Sequence, residues 1–115
     1  MIKSVDIKRR IPLNKGKNLI ARYPSNGSLS SFEFKIFLEN SVSGVFVIYI
    51  SHTQEQGEIN WFKKSILKSD AGLSNIFEIY LRDNYIEIEV TVNDSGIVSY
   101  ECEHMFNYKS KENKD

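Results

Sequence analysis

The chain has 115 residues, 41% of them hydrophobic, and its 15 basic residues balance 15 acidic ones. This length suits a single compact domain, taken here as 1–108, with a polar tail at 109–115 expected to be disordered. The sequence lacks a run of about 18 apolar residues, which excludes a transmembrane helix. The lone Cys102 excludes an internal disulfide, and with a start that lacks a leader-like apolar stretch it points to a reducing cytoplasm.

Zero net charge conceals a segregation. Residues 1–24 carry seven basic residues (Lys3, Lys8, Arg9, Arg10, Lys15, Lys17, Arg22) against Asp6, a net +6. Residues 76–106 carry seven acids (Glu78, Asp83, Glu87, Glu89, Asp94, Glu101, Glu103) against Arg82, a net −6. Such a split is an electrostatic statement about partners more than about the fold.

In chain order, residues 2–13 alternate loosely and read as a first strand ending near Pro12. Asn14-Lys15-Gly16-Lys17 is a turn, and Leu19 to Tyr23 is a short second strand closed by the loop Pro24 to Ser28. Phe32, Phe34, Ile36 and Leu38 alternate with polar residues, so 31–39 is a half-buried strand. Asn40 to Gly44 turns the chain into 45–51, apolar on both faces and suited to a sheet centre. From Glu58 to Lys68 the period changes: Ile59, Phe62 and Ile66 fall at helical spacing, which predicts one amphipathic helix started near Thr53–Gln56 and stopped near Gly72. A strand is the alternative there.

Ile76–Arg82, Tyr85–Val92 and Ile97–Phe106 alternate strictly and predict a three-stranded meander. Asp83-Asn84 suits a two-residue hairpin turn, and Asn93-Asp94-Ser95-Gly96 a type I turn with a G1 bulge. The expected class is therefore α+β, a mostly antiparallel sheet of about seven strands with one helix.

Turn chemistry fixes register. The first turn pairs Arg82 with Tyr85, Tyr80 with Glu87 and Glu78 with Glu89. The second pairs Val92 with Val98, Val90 with Tyr100, Ile88 with Cys102 and Ile86 with His104. On the opposite face this sets Glu89 beside Glu101 and Glu87 beside Glu103. Opposed like charges cost roughly 0.2–1 kcal/mol per pair. Either the face is solvated and relieved by the basic N-terminal strand, or a partner brings the positive charge. In the second case Glu78, Glu87, Glu89, Glu101 and Glu103, bordered by Tyr80, Tyr85 and Met105, form a partner-binding surface for a basic protein.

Other chemistry is thinly represented. Cys102 and His104 share the inferred core face and read as packed residues. Glu87, Glu89, Glu101 and Glu103 lack the enclosing loop that a hard cation needs, so no metal or other cofactor is expected. No phosphate loop, HExxH or serine elbow occurs, and no enzymatic activity is expected.

The run Ile76-Phe77-Glu78-Ile79-Tyr80-Leu81, with Ile86 to Val92 and Val98-Ser99-Tyr100-Glu101, resembles the small α+β immunity proteins of bacterial polymorphic-toxin and contact-dependent growth inhibition systems. The resemblance covers about 30 residues and implies a cytoplasmic, noncatalytic protein that neutralises a toxin, often a basic nuclease, by covering its active site or substrate groove. A phage-encoded anti-defence inhibitor using the same face is the alternative. A nucleic-acid or small-ligand module built on Lys8, Arg9, Arg10, Arg22 and Tyr23 is a third reading. The chain is expected to be a monomer or a homodimer, with 31–39 as a possible edge strand between subunits.

Overall fold

The computed structural model describes residues 1–26, 28–40, 44–53, 58–68 and 77–107, with side chains for 59–63 of the fourth stretch. Eight strands account for most of them: β1 (Ile2–Leu13), β2 (Gly16–Pro24), β3 (Leu29–Glu39), β4 (Gly44–Thr53), β5 (Glu58–Lys68), β6 (Phe77–Arg82), β7 (Tyr85–Val92) and β8 (Gly96–Phe106). They form a five-stranded sheet in the order β1-β8-β3-β4-β5 and a three-stranded sheet in the order β2-β7-β6, antiparallel throughout. Among the described residues there is no helix, so the fold is all-β rather than α+β. None of them forms a helix long and apolar enough to cross a membrane.

The two sheets share one core. Phe32, Phe34, Ile36 and Leu38 of β3, Phe46, Ile48 and Ile50 of β4, and Val98, Tyr100 and Cys102 of β8 supply the larger sheet's side. Ile20 and Ala21 of β2, Ile86, Ile88 and Val90 of β7, and Phe77 and Ile79 of β6 supply the other. Phe46 meets Phe77 edge-on across the layers at 5.1 Å, and Tyr23 meets Phe34 at 5.8 Å. Each fully buried side chain of this size contributes roughly 1.5–3 kcal/mol, so this alternation is what holds the layers together.

The predicted helix is strand β5. Ile59 and Trp61 stand opposite His52 and Ile50 of β4, while Phe62 points to the other face opposite Tyr49. The register shifts between Val45/Phe46, opposite Leu67 and Ser65, which leaves Ile66 as the extra residue of a bulge. Ile59 and Phe62 fall three apart because they face opposite sides of the strand, and the bulge at Ile66 then breaks the two-residue period, so the spacing imitates a helical one. The expected start near Gln54 and stop near Gly72 lie outside the described residues, as does the tail from 109.

The meander is half realised. Hairpin β6–β7 has the expected register throughout, from Arg82 opposite Tyr85 to Phe77 opposite Val90, and Asp83 and Asn84 take positive φ (51° and 63°) as the tight turn demands. β8 instead leaves the small sheet and pairs with β1 and β3. Its place beside β7 is taken by β2. Strand β3 is correspondingly an interior strand, between β8 and β4, and not an edge open to another subunit.

Gly96 starts β8 without positive φ, so it forms no G1 bulge. What it supplies is room: a Cβ there would lie 2.5 Å from the Glu39 carbonyl oxygen and 2.6 Å from Asn40 Cβ. Gly96→Ala should therefore cost about 1–3 kcal/mol through overpacking against the end of β3. A urea midpoint unchanged from the parent protein would show that this backbone yields freely.

Candidate functional site

The eight residues expected to form one acidic surface lie on two. Glu78, Tyr80, Tyr85, Glu87 and Glu89 sit on the outer face of the small sheet, whereas Glu101, Glu103 and Met105 sit on the outer face of the large one. The predicted pairs Glu89–Glu101 and Glu87–Glu103 do not form, because β7 and β8 are in different sheets.

On the small sheet Glu87 is compensated from within, whereas Glu78 stands directly opposite Glu89 with no ion pair to either among the described residues. Glu87, only 7% exposed, accepts a hydrogen bond from Arg22 Nε at 3.0 Å and another from Arg82 Nη1 at 3.1 Å. The Arg22 guanidinium lies 3.7 Å over the Tyr85 ring, and that of Arg82 4.1 Å over Tyr80. Tyr80 also donates to Glu89 at 3.4 Å. Two charge-assisted bonds and two cation–π contacts thus engage Glu87, Tyr80 and Tyr85, three of the residues expected to meet a partner.

The outer face of the large sheet is different. Strand registers align Val5, Glu103, Glu33, Tyr49 and Phe62 in one row across all five strands. The rows on either side hold Lys3, Met105, Ser31, Ser51 and Asn60, and Ile7, Glu101, Lys35 and Val47. Glu33 directly opposes Glu103. Lys3 reaches Glu103 at 2.7 Å, and Lys35 stands opposite Glu101, but Glu33 has no ion pair among the described residues. Exposed apolar side chains share this face: Val5 at 53%, Ile7 at 51%, Phe37 at 46% and Phe62 at 61%. Phe62 stacks on Tyr49 at 4.8 Å and 26°, and beside that pair runs a cleft of about 400 Å³ lined also by Ser31, Glu33, Asn60 and Glu103.

Glu33, Tyr49 and Phe62 are the residues that sequence reasoning missed. Glu33 was visible as the polar partner of Phe32 and Phe34. Phe62 was assigned to a helix, so its alignment with Tyr49 was hidden.

The basic N-terminal segment is dispersed. Arg22 is engaged by Glu87 on the small sheet, and Lys8 lies 4.0 Å from Asp6. Arg9 and Arg10 sit at a register shift of β1, where Arg10 adopts φ 57° and its amide donates to Ser99 Oγ at 2.9 Å.

The remaining reactive groups belong to the interior. Burial pushes the Cys102 thiol up to about 12, which keeps it protonated and unreactive. Tyr23 donates to Asp6 and shares a 2.8 Å hydrogen bond with Tyr100, joining β2 to the large sheet. Burial raises the pKa of both tyrosines. His52 pairs with Ser25 Oγ through Nδ1, both groups buried, so this histidine has a partner that the sequence did not reveal. His104 is 5% exposed, stacked on Phe32 at 3.9 Å, and its Nε2 has no hydrogen-bond partner among the described residues. Among those residues no group of three or more His, Cys, Asp or Glu is placed to hold a metal ion.

No family model matches the chain, and no curated protein matches it. Among solved structures it is similar to the tailspike protein of Acinetobacter phage vB_ApiP_P1, at 10% identity and a TM-score of 0.39, over 90% of this chain and 21% of that one. The chain thus spans about a fifth of the tailspike's length. Likeness at this level assigns no function.

The histidines make stability pH-dependent. Burial lowers the pKa of His52 and takes that of His104 down to about 4, from 6.5. The unfolded chain therefore binds protons that the native state refuses as pH falls from 6.5 toward 4. Stability should be complete above that window and decline within it by about 1.4 kcal/mol per pH unit for His104, with His52 acting in the same direction. Denaturant titrations at about pH 7.5 and about pH 5 check this, and His104→Phe should flatten the dependence. A slope that His104→Phe leaves unaltered would assign the acid sensitivity elsewhere.

Proposed function

We propose that this chain is a noncatalytic, cytoplasmic protein-binding module that acts stoichiometrically, in the manner of a bacterial immunity protein covering a basic, nuclease-like toxin. The contact surface is the outer face of the five-stranded sheet. One observation carries the reading: that face combines exposed Val5, Ile7, Phe37 and Phe62 with directly opposed carboxylates of which Glu33 has no ion pair among the described residues. Apolar area with uncompensated charge of one sign suits a partner surface that is apolar and cationic. Of the expected partner-binding residues, Glu101, Glu103 and Met105 stay in the site, joined by Glu33, Tyr49 and Phe62. Tyr80, Tyr85 and Glu87 serve the small sheet's own charge balance, and Glu78 and Glu89 lie on that sheet, away from this face.

A phage-encoded inhibitor of a nucleic-acid-binding machine would use the same face. The nucleic-acid reading loses support, since Arg22 is engaged by Glu87 and Lys8 lies near Asp6.

This reading expects a nuclease-type toxin domain encoded beside the gene, and the test uses that domain. Glu33→Lys, Glu101→Lys and Glu103→Lys together should weaken the complex by about 100-fold or more and remove protection of growth. Glu78→Lys with Glu89→Lys should change affinity by no more than about threefold. The association rate of the parent protein should fall steeply with added salt. A complex broken by the second pair and untouched by the first triple would move the interface to the small sheet, and one indifferent to both would end the electrostatic reading.

A further inference from the structure

We infer that the cleft on the outer face of the large sheet is a receptor for a guanidinium group, an arginine side chain of the partner seated between the Glu33–Glu103 pair and the Tyr49–Phe62 stack. The inference rests on the reading above and names its anchor. Three features of the cleft converge on this occupant.

The first is charge. Glu33 and Glu103 come from neighbouring strands at directly opposed positions, and Lys3 compensates only Glu103, at 2.7 Å. A single added cation balances the pair. An anionic ligand would meet both carboxylates.

The second is shape. Tyr49 and Phe62 stack at 4.8 Å with 26° between their planes, and Phe62 remains 61% exposed. The pair therefore offers an aromatic surface beside the acids, and Met105 adds a polarizable thioether to the lining. A guanidinium is planar, weakly hydrated and able to stack while its N–H donors reach two carboxylates, whereas an ammonium is a compact and strongly hydrated point charge.

The third is space. Ser31, Ser51 and Asn60 are small or short polar residues in the row beside the carboxylates, and they leave a cleft of about 400 Å³. The aliphatic stem of an arginine can lie there with its backbone remaining on the partner. Two carboxylates on a pleated surface, without an enclosing set of carbonyl oxygens, do not make a cage for a divalent cation.

The experiment is an amide NMR titration of the full chain with the blocked peptide acetyl-Gly-Arg-Gly-amide. The same peptide with lysine, and with citrulline as the neutral isostere, gives the comparison. The arginine peptide should produce saturable shifts at the amides of Ser31–Glu33, Tyr49–Ser51 and Asn60–Phe62, with a roughly millimolar dissociation constant. Lysine should bind about threefold and citrulline about tenfold more weakly. Glu33→Gln and Phe62→Ala, both at positions outside the core, should each weaken the arginine peptide by about threefold or more.

Equal binding of the citrulline peptide, no saturable shift, or shifts confined to the small sheet would each overturn the inference. If the peptide fails while the triple charge reversal still breaks the toxin complex, the interface stands without this anchor. If both fail, the interface falls with it.

Discussion

Strand β8 hydrogen-bonds along both edges, to β1 and to β3, and this double pairing decides where every charged residue of the C-terminal third ends up. The competing arrangement places β8 beside β7 in a single meander. That arrangement would leave one sheet face apolar and uncovered, and eight amphipathic strands must make two layers to bury such faces. With β2 and β6 occupying the two edges of β7, the inward side chains of β8, Val98, Tyr100 and Cys102, complete the large sheet's side of the shared core. Magnitudes settle the matter. Each opposed glutamate pair is worth a few tenths to about 1 kcal/mol, while each large apolar side chain buried is worth about 1.5–3 kcal/mol. Burial sets the topology, and the electrostatics follow from it.

The electrostatic outcome differs between the layers. Pairing β2 with β7 sets Arg22 opposite Glu87, where the meander would have set Glu103. Arg82 approaches the same carboxylate from β6, on the strand with Tyr80 opposite Glu87. A glutamate that is 7% exposed is tolerable only with such partners, since an unpaired buried carboxylate would be strongly disfavoured. Polar groups also tie the layers to each other: Tyr23 of β2 meets Asp6 and Tyr100 of the large sheet, and Ser25 meets His52. These ties lie between the layers, so the outer face of the large sheet carries no comparable structural duty.

The legible parts of the fold are those governed by local chemistry. Asp83-Asn84 admits little besides a tight hairpin, and the register of β6 on β7 follows from it residue by residue. The alternation of β3 and the apolar run of β4 likewise sufficed to place them as half-buried and interior strands. The partner of β8 was not legible. Asn93-Asp94-Ser95-Gly96 has the composition of a hairpin turn, but the glycine serves close packing against Glu39 and Asn40, a contact 56 or more residues away in sequence. Nor was β5 legible, because apolar residues on both its faces and a bulged residue at Ile66 obscure its two-residue period. Both errors come from non-local pairing overriding a local signal. Their joint effect was to merge two acidic groups that belong to opposite faces, and to hide the aromatic pair that accompanies one of them.

The two outer faces, read against each other, sharpen the functional argument. They belong to one chain, experience one solvent and are built from the same strand chemistry. On the small sheet, Glu87 has two arginines and Glu89 a tyrosine hydroxyl, and the tyrosines themselves are covered by the guanidinium groups. On the large sheet, Glu33 faces Glu103, and Phe62 and Phe37 stand in solvent. Exposed aromatics beside an acid without an ion pair are what a contact surface requires, because both are unfavourable alone and both become favourable when a cationic, apolar surface covers them. The small sheet also sets Glu78 opposite Glu89 and leaves Leu19 57% exposed, so what distinguishes the large sheet's outer face is the stacked aromatic pair and the cleft beside its opposed acids.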